Sequence, residues 1–121
     1  SCNPNDSLDN TISDTQFMQD TTNYGEYIRG EYTKTVANPD VIYFSMKPCE
    51  LYDMALTMTW NSIVTAHMAI KEIIEDGDTT NQIVIHFRGE EYEGNNAENV
   101  SNGAMLNYDF TAPCPTLCPG S

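Results

Sequence analysis

The sequence predicts an α+β fold: a single small disulfide-stapled domain, mostly antiparallel sheet, with one main helix over about residues 62–76. Three observations predict it. Residues 82–88 alternate cleanly, with Ile83, Ile85 and Phe87 on one face, as a half-buried strand does. Ile63, Ala66, His67, Ile70, Ile73 and Ile74 fall on one helical face, and Gly77 stands where a helix would end in a left-handed cap. Four cysteines, an even number, occur in a chain of 121 residues, a length with room for one core and no second.

The elements follow in order. Residues 1–12 form a polar N-terminal segment rich in Asn and Asp. Ser13-Asp14-Thr15-Gln16 reads as a capping box opening a short helix that carries Phe17 and Met18, with a turn over residues 20–23. Residues 24–36 are rich in Tyr, Thr, Ile and Val, are interrupted by Gly25 and Gly30, and read as one or two short strands. Asn38-Pro39-Asp40 is a turn, because proline fixes φ and the flanking Asx side chains bond nearby backbone. The apolar run of residues 41–46 reads as a buried strand.

Beyond Pro48, Met54, Leu56, Met58 and Trp60 alternate with Ala55, Thr57 and Thr59. That period of two predicts a strand leading into the main helix, with one continuous helix from Pro48 as the rival reading. Residues 89–103 read as a long acidic surface loop and residues 104–111 as a last strand. The Pro/Cys tail of residues 113–121 is not expected to continue any regular element.

Eighteen acidic residues against five basic ones give a net charge of -13. Such a chain repels phosphate backbones, and Arg29, Lys34, Lys47, Lys71 and Arg88 are too scattered for a basic stripe, which argues against nucleic-acid binding. The longest apolar stretch, around residues 63–74, carries His67, Lys71 and Glu72 and is too short to span a bilayer.

A start at Ser1 rather than Met fits an export signal already removed, and the even cysteine count fits an oxidising compartment. The expected location is therefore extracellular. Asn5-Asp6-Ser7 and Asn99-Val100-Ser101 are sequons, which makes Asn5 and Asn99 candidate glycan acceptors.

Prolines at 113, 115 and 119 stiffen the tail, so Cys114 and Cys118 are expected to reach Cys2 and Cys49 separately. Each bridge would contribute about 2–4 kcal/mol, and the other connectivities stay open. Cys114-Pro115-Thr116-Leu117-Cys118-Pro119 resembles, over six residues, the copper-binding motif of the Sco-type copper chaperones. In that family a histidine far downstream completes the copper site. No histidine stands between the motif and Ser121, and no copper function is carried over.

The sequence holds no Gly-rich phosphate loop, nucleophile elbow, zincin helix or pair of Cys-x-x-Cys knuckles. Glu72, Glu75, Asp76 and Asp78 lie where the expected helix ends, an unfavourable place for negative charge. A calcium ion held by Asp76 and Asp78 would relieve that conflict. Asn81 and Phe87, however, occupy the glycine and bidentate-glutamate positions of an EF-hand, so no cofactor is expected. His67 and His86, the only histidines, read as hydrogen-bonded core residues.

Asp20-Thr21-Thr22-Asn23 recurs as Asp78-Thr79-Thr80-Asn81, and Arg29-Gly30-Glu31 recurs as Arg88-Gly89-Glu90. Arg29 and Arg88 are thus candidate grips for an anion or a carboxylate, the alternative being that each pairs with a neighbouring glutamate while glycine permits a turn.

Modest size and missing catalytic motifs lead to one expectation: a structural subunit of an extracellular assembly, a filament or surface polymer, whose partner is itself. A secreted monomeric binding or effector module is the alternative. A small hydrolase with two carboxylates in a cleft is the second.

Overall fold

The computed structural model describes residues 11–91, 106–109 and 112–114. In chain order these form β1 (Thr11–Ile12), α1 (Asp14–Ile28), β2 (Tyr43–Ser45), α2 (Pro48–Leu56), β3 (Ser62–Glu75), β4 (Asp78–Glu91), β5 (Leu106–Tyr108) and β6 (Ala112–Cys114). The class is α+β, with an antiparallel sheet and two helices. Neither helix is long and apolar enough to cross a membrane.

The centre of the molecule is the β3–β4 hairpin. Its strands pair without interruption from Ser62↔Glu91 to Glu75↔Asp78. The turn needs positive φ at both central residues, and Asp76 and Gly77 both adopt it. Asp tolerates the left-handed region and Gly adopts it without steric penalty. Gly77→Ala is expected to lower stability by roughly 1–2 kcal/mol, the usual penalty of that conformation for a residue with a Cβ, as measured by urea unfolding.

Among the described residues the sheet runs in the order β1-β5-β4-β3, with β3 outermost. The other edge of β4 is covered in two places. β5 pairs with it over Phe87↔Tyr108 to Gly89↔Leu106, and an extended segment docks at Asn81 through a Val36 bridge and the Ala37 N–H. One residue further on, Asn38 completes that segment with its side chain: Nδ2 donates to the Ile83 carbonyl at 3.0 Å and Oδ1 accepts from the Ile83 N–H at 2.7 Å.

The first turns of α1 lie on the face of the hairpin that carries His67 and His86, the Phe17 ring edge-on to His67, while its later residues Tyr24 and Tyr27 pack with the cluster around Ile70. The opposite face holds two apolar clusters. Val36, Ile70 and Ile83 pack with Tyr24, Tyr27, Tyr32, Val41, Phe44 and Met68. Met54 and Tyr108 pack with Met46, Met58 and Phe87. A second small sheet pairs β2 with β6, Phe44 lying opposite Pro113.

Several expectations are corrected. Residues 62–76 are not the main helix but β3 and the first turn residue. Ala69 and Ile70 point to opposite faces and both are buried, so the strand loses its alternation and imitates a helical stripe. Residues 20–23 are not a turn, and residues 24–36 are not strands through their first half: α1 runs through both. Half of the expected capping box forms: Ser13 Oγ accepts from the Gln16 N–H at 3.1 Å, but the Gln16 side chain donates to Asp20 instead of reaching back to Ser13. Its continuation through poor helix formers reflects burial of Phe17 and Asp20 against the sheet, which outweighs propensity.

The stretch around Met54 is helical, not extended. Pro48 takes a first-turn position where its missing N–H costs nothing, and Glu50 bonds back to the Lys47 N–H at 2.9 Å. The continuous helix is also excluded, because α2 stops at Leu56, where the Thr57 hydroxyl bonds the Met54 carbonyl. Strand β2 exists but is not buried: Ile42 and Tyr43 are exposed. Pro113 does sit in regular structure, on a short edge strand where its lack of an N–H is tolerated.

The repeated tetrapeptides do not adopt a repeated structure. Asp20 to Asn23 are helical, whereas Asp78 to Asn81 open β4. Gly89 in the second copy makes no turn. It lies in β4, where a Cβ would collide with the Met58 side chain.

Candidate functional site

Two features stand out among the described residues: a chain of buried charges between α1 and the sheet, and an apolar groove at the α2–β3 junction.

The first centres on His86. The turn at Asp76-Gly77 places His67 and His86 directly opposite each other on one face of the hairpin. His86 is 0% exposed, and Asp20 reaches down from α1 to bring Oδ2 within 2.8 Å of its Nε2. On its other side, Asp109 Oδ1 stands 3.5 Å from Nδ1. The neighbours extend the chain outward: Gln16 Nε2 donates to Asp20 Oδ1 at 2.7 Å, and Lys71 Nζ donates to Asp109 Oδ2 at 2.6 Å. A polar cleft of about 510 Å³ lies above, lined by Gln16, Gln19, Asp20, Asn23, Lys71 and Asp109 among others.

Burial alone would push the His86 pKa down, but the Asp109 and Asp20 carboxylates prevail and hold it above its ordinary 6.5. For Asp109 burial favours the neutral acid, yet His86 and Lys71 reverse this and hold the carboxyl below its ordinary range. A proton-donating carboxyl needs the opposite shift, and a general base must touch its substrate, which a wholly enclosed imidazole does not. Its burial and its alternating charges make the group a structural and electrostatic centre between α1 and the sheet.

The second feature is a groove of about 680 Å³ lined by Leu51, Met54, Leu56, Met58, Trp60 and Val64 with smaller neighbours. Trp60 is fully exposed, and Leu51, Leu56 and Val64, which line the same groove, are exposed with it. The patch arises because α2 buries Met54 and leaves its other apolar side chains outward, while the first residues of the outer strand β3 are uncovered. A run of this kind on a small acidic surface is unusual enough to need a reason.

The other candidate residues lie apart. Arg29 pairs with Glu31 at 3.0 Å on an open surface, a contact worth little. Arg88 donates to Asn107 at 2.7 Å and to Asp14 at 3.2 Å while its guanidinium stacks 4.0 Å from the Phe17 ring. It ties the start of α1 to the sheet. Asp76 and Asp78 flank Gly77 at the hairpin tip, and no group of three or more His, Cys, Asp or Glu among the described residues is arranged to hold a metal ion.

Cys49 lies in α2 and Cys114 in β6, and neither is a free thiol. Asn5, Asn99, Cys2 and Cys118 lie outside the described residues.

Sequence reasoning read His86 as a hydrogen-bonded core residue, as it is, but missed the carboxylates that gather around it. A signal was there: His67 and His86 are equidistant from Asp76-Gly77, a dipeptide that favours two-residue hairpins. Asp20 and Asp109 carried no comparable mark. Compared with known proteins, the chain matches no family model, no curated protein and no solved structure.

Proposed function

We propose that this chain is a structural subunit of an extracellular assembly and that copies meet through the α2–β3 surface. One observation carries the reading: among the described residues, the exposed apolar patch around Trp60 adjoins the start of β3, whose outer edge pairs with no other strand. Apolar side chains supply association energy, and an unpaired strand edge supplies backbone hydrogen bonds and direction. In this reading the domain is secreted, carries glycans at Asn5 and Asn99, and is stapled by bridges that take Cys114 and Cys118 separately to Cys2 and Cys49.

The surplus of negative charge opposes contact between copies, so assembly should strengthen with salt. At about 0.1 M the screening length is already near 10 Å. Light scattering behind size-exclusion chromatography tests this. The native chain is expected at multiples of 13.5 kDa, more so in high salt, and a Leu56→Ser/Trp60→Ser variant at 13.5 kDa throughout. Both residues are exposed, so the fold should tolerate the change.

A native chain that stays monomeric at every salt and protein concentration would sink the polymer reading. The binding module would then take its place, because a groove with Met54 and Met58 in its wall suits an apolar anchor from another protein.

A further inference from the structure

The geometry points to Asp20, His86 and Asp109 acting as a protonation latch: it clamps α1 to the sheet while the imidazole carries two protons and loosens when one is lost.

The argument rests on counting protons. The two ring nitrogens of His86 face two different carboxylates, Nε2 toward Asp20 and Nδ1 toward Asp109. A neutral imidazole has one N–H, so it must turn a lone pair toward one of those carboxylates. His86 is fully buried, so that contact is costlier than it would be in bulk water. The doubly protonated ring donates to both. Nδ1 and Asp109 Oδ1 are buried, and among the described residues neither has a hydrogen-bond partner. They stand at 3.5 Å, a gap that a small shift closes. With the ring charged, Lys71, Asp109, His86 and Asp20 alternate in sign and sum to zero. With it neutral, the buried chain carries a surplus negative charge.

The other groups on this face do not remove that surplus. From α1, Asp14 is taken up by Arg88 and Asn107. On β3, His67 meets Thr65 Oγ1 at 2.6 Å and Phe17, and Lys71 is committed to Asp109. On β4, Arg88 points to the helix start rather than to the ring.

The direction of the effect follows. The folded-state pKa of His86 lies above 6.5, so its stabilisation is complete below about pH 6.5 and is lost as pH rises through the folded value. Asp109 sets the lower limit: its pKa is depressed, so its share holds above the unfolded value and fades as pH falls through the folded one. The clamp is tightest in mildly acidic surroundings.

Two measurements on the full chain test the latch. Imidazole nitrogen NMR of the native protein should show both His86 nitrogens protonated at about pH 6 and a titration above the ordinary histidine value. Amide hydrogen exchange should show protection factors in α1 dropping severalfold between about pH 6 and 9, as the ring loses its second proton. In His86→Gln, which keeps a donor toward Asp20 and cannot titrate, that drop should vanish. A native His86 that is already neutral in the mildly acidic sample overturns the proposal, and so does α1 protection that falls equally in both proteins. The NMR arm stands even if the variant fails to fold.

Discussion

Asn38→Ala is expected to lower the unfolding free energy by about 2–6 kcal/mol, because it leaves two buried backbone groups unpaired at about 1–3 kcal/mol each. Asn38 is enclosed, so water cannot replace the lost amide at the Ile83 N–H and carbonyl. Here a side chain does the work of a strand residue, and this is why a turn-forming sequence can close the edge of β4. Asn38→Asp sharpens the test. It keeps the acceptor for the Ile83 N–H but sets an oxygen against the Ile83 carbonyl. Urea unfolding followed by circular dichroism measures both. A loss below about 1 kcal/mol for either variant would mean that water or a shifted backbone meets these groups.

The second large effect is expected at Ile70. Ile70→Ala removes a fully buried side chain from the cluster with Val36 and Ile83 and should cost about 2–5 kcal/mol. Ile74→Ala is the internal control. Ile74 lies on the same face of the same strand but is largely exposed to solvent. Its loss should stay within about 0.5 kcal/mol. Equal losses at the two positions would place the core elsewhere. Ile83 is the cross-strand partner of Ile70 and the backbone partner of Asn38, so the double variant should depart from additivity.

How much of this was legible in the sequence depended on whether each segment has one buried face or two. β4 read correctly through Ile83, Ile85 and Phe87, although its bounds reach further at both ends. β3 was misread because helix α1 covers one face and the apolar clusters cover the other, so buried positions are not spaced by two. The α2 segment failed for the converse reason. Leu51, Leu56 and Trp60 are apolar yet exposed, so the hydrophobic pattern reports a surface patch rather than the period of the element.

Gly77 was read as left-handed, and it is. Its role is to close a hairpin, and Asp76 beside it was the residue that distinguished the two outcomes. Of the buried charge chain only the histidine spacing was legible. Asp20 and Asp109 are brought to His86 by tertiary packing, across separations no local pattern encodes.

A two-residue link leaves no slack. If β4 slid by a single position against β3, every side chain on it would swap sides. Phe87 would then turn toward the Asp20 carboxylate and His86 toward the apolar layer around Met68. Each would be stranded in the wrong surroundings. The dipeptide at the far tip of the ribbon therefore fixes which way the distant imidazole looks, and the misfit at its other end penalises slippage.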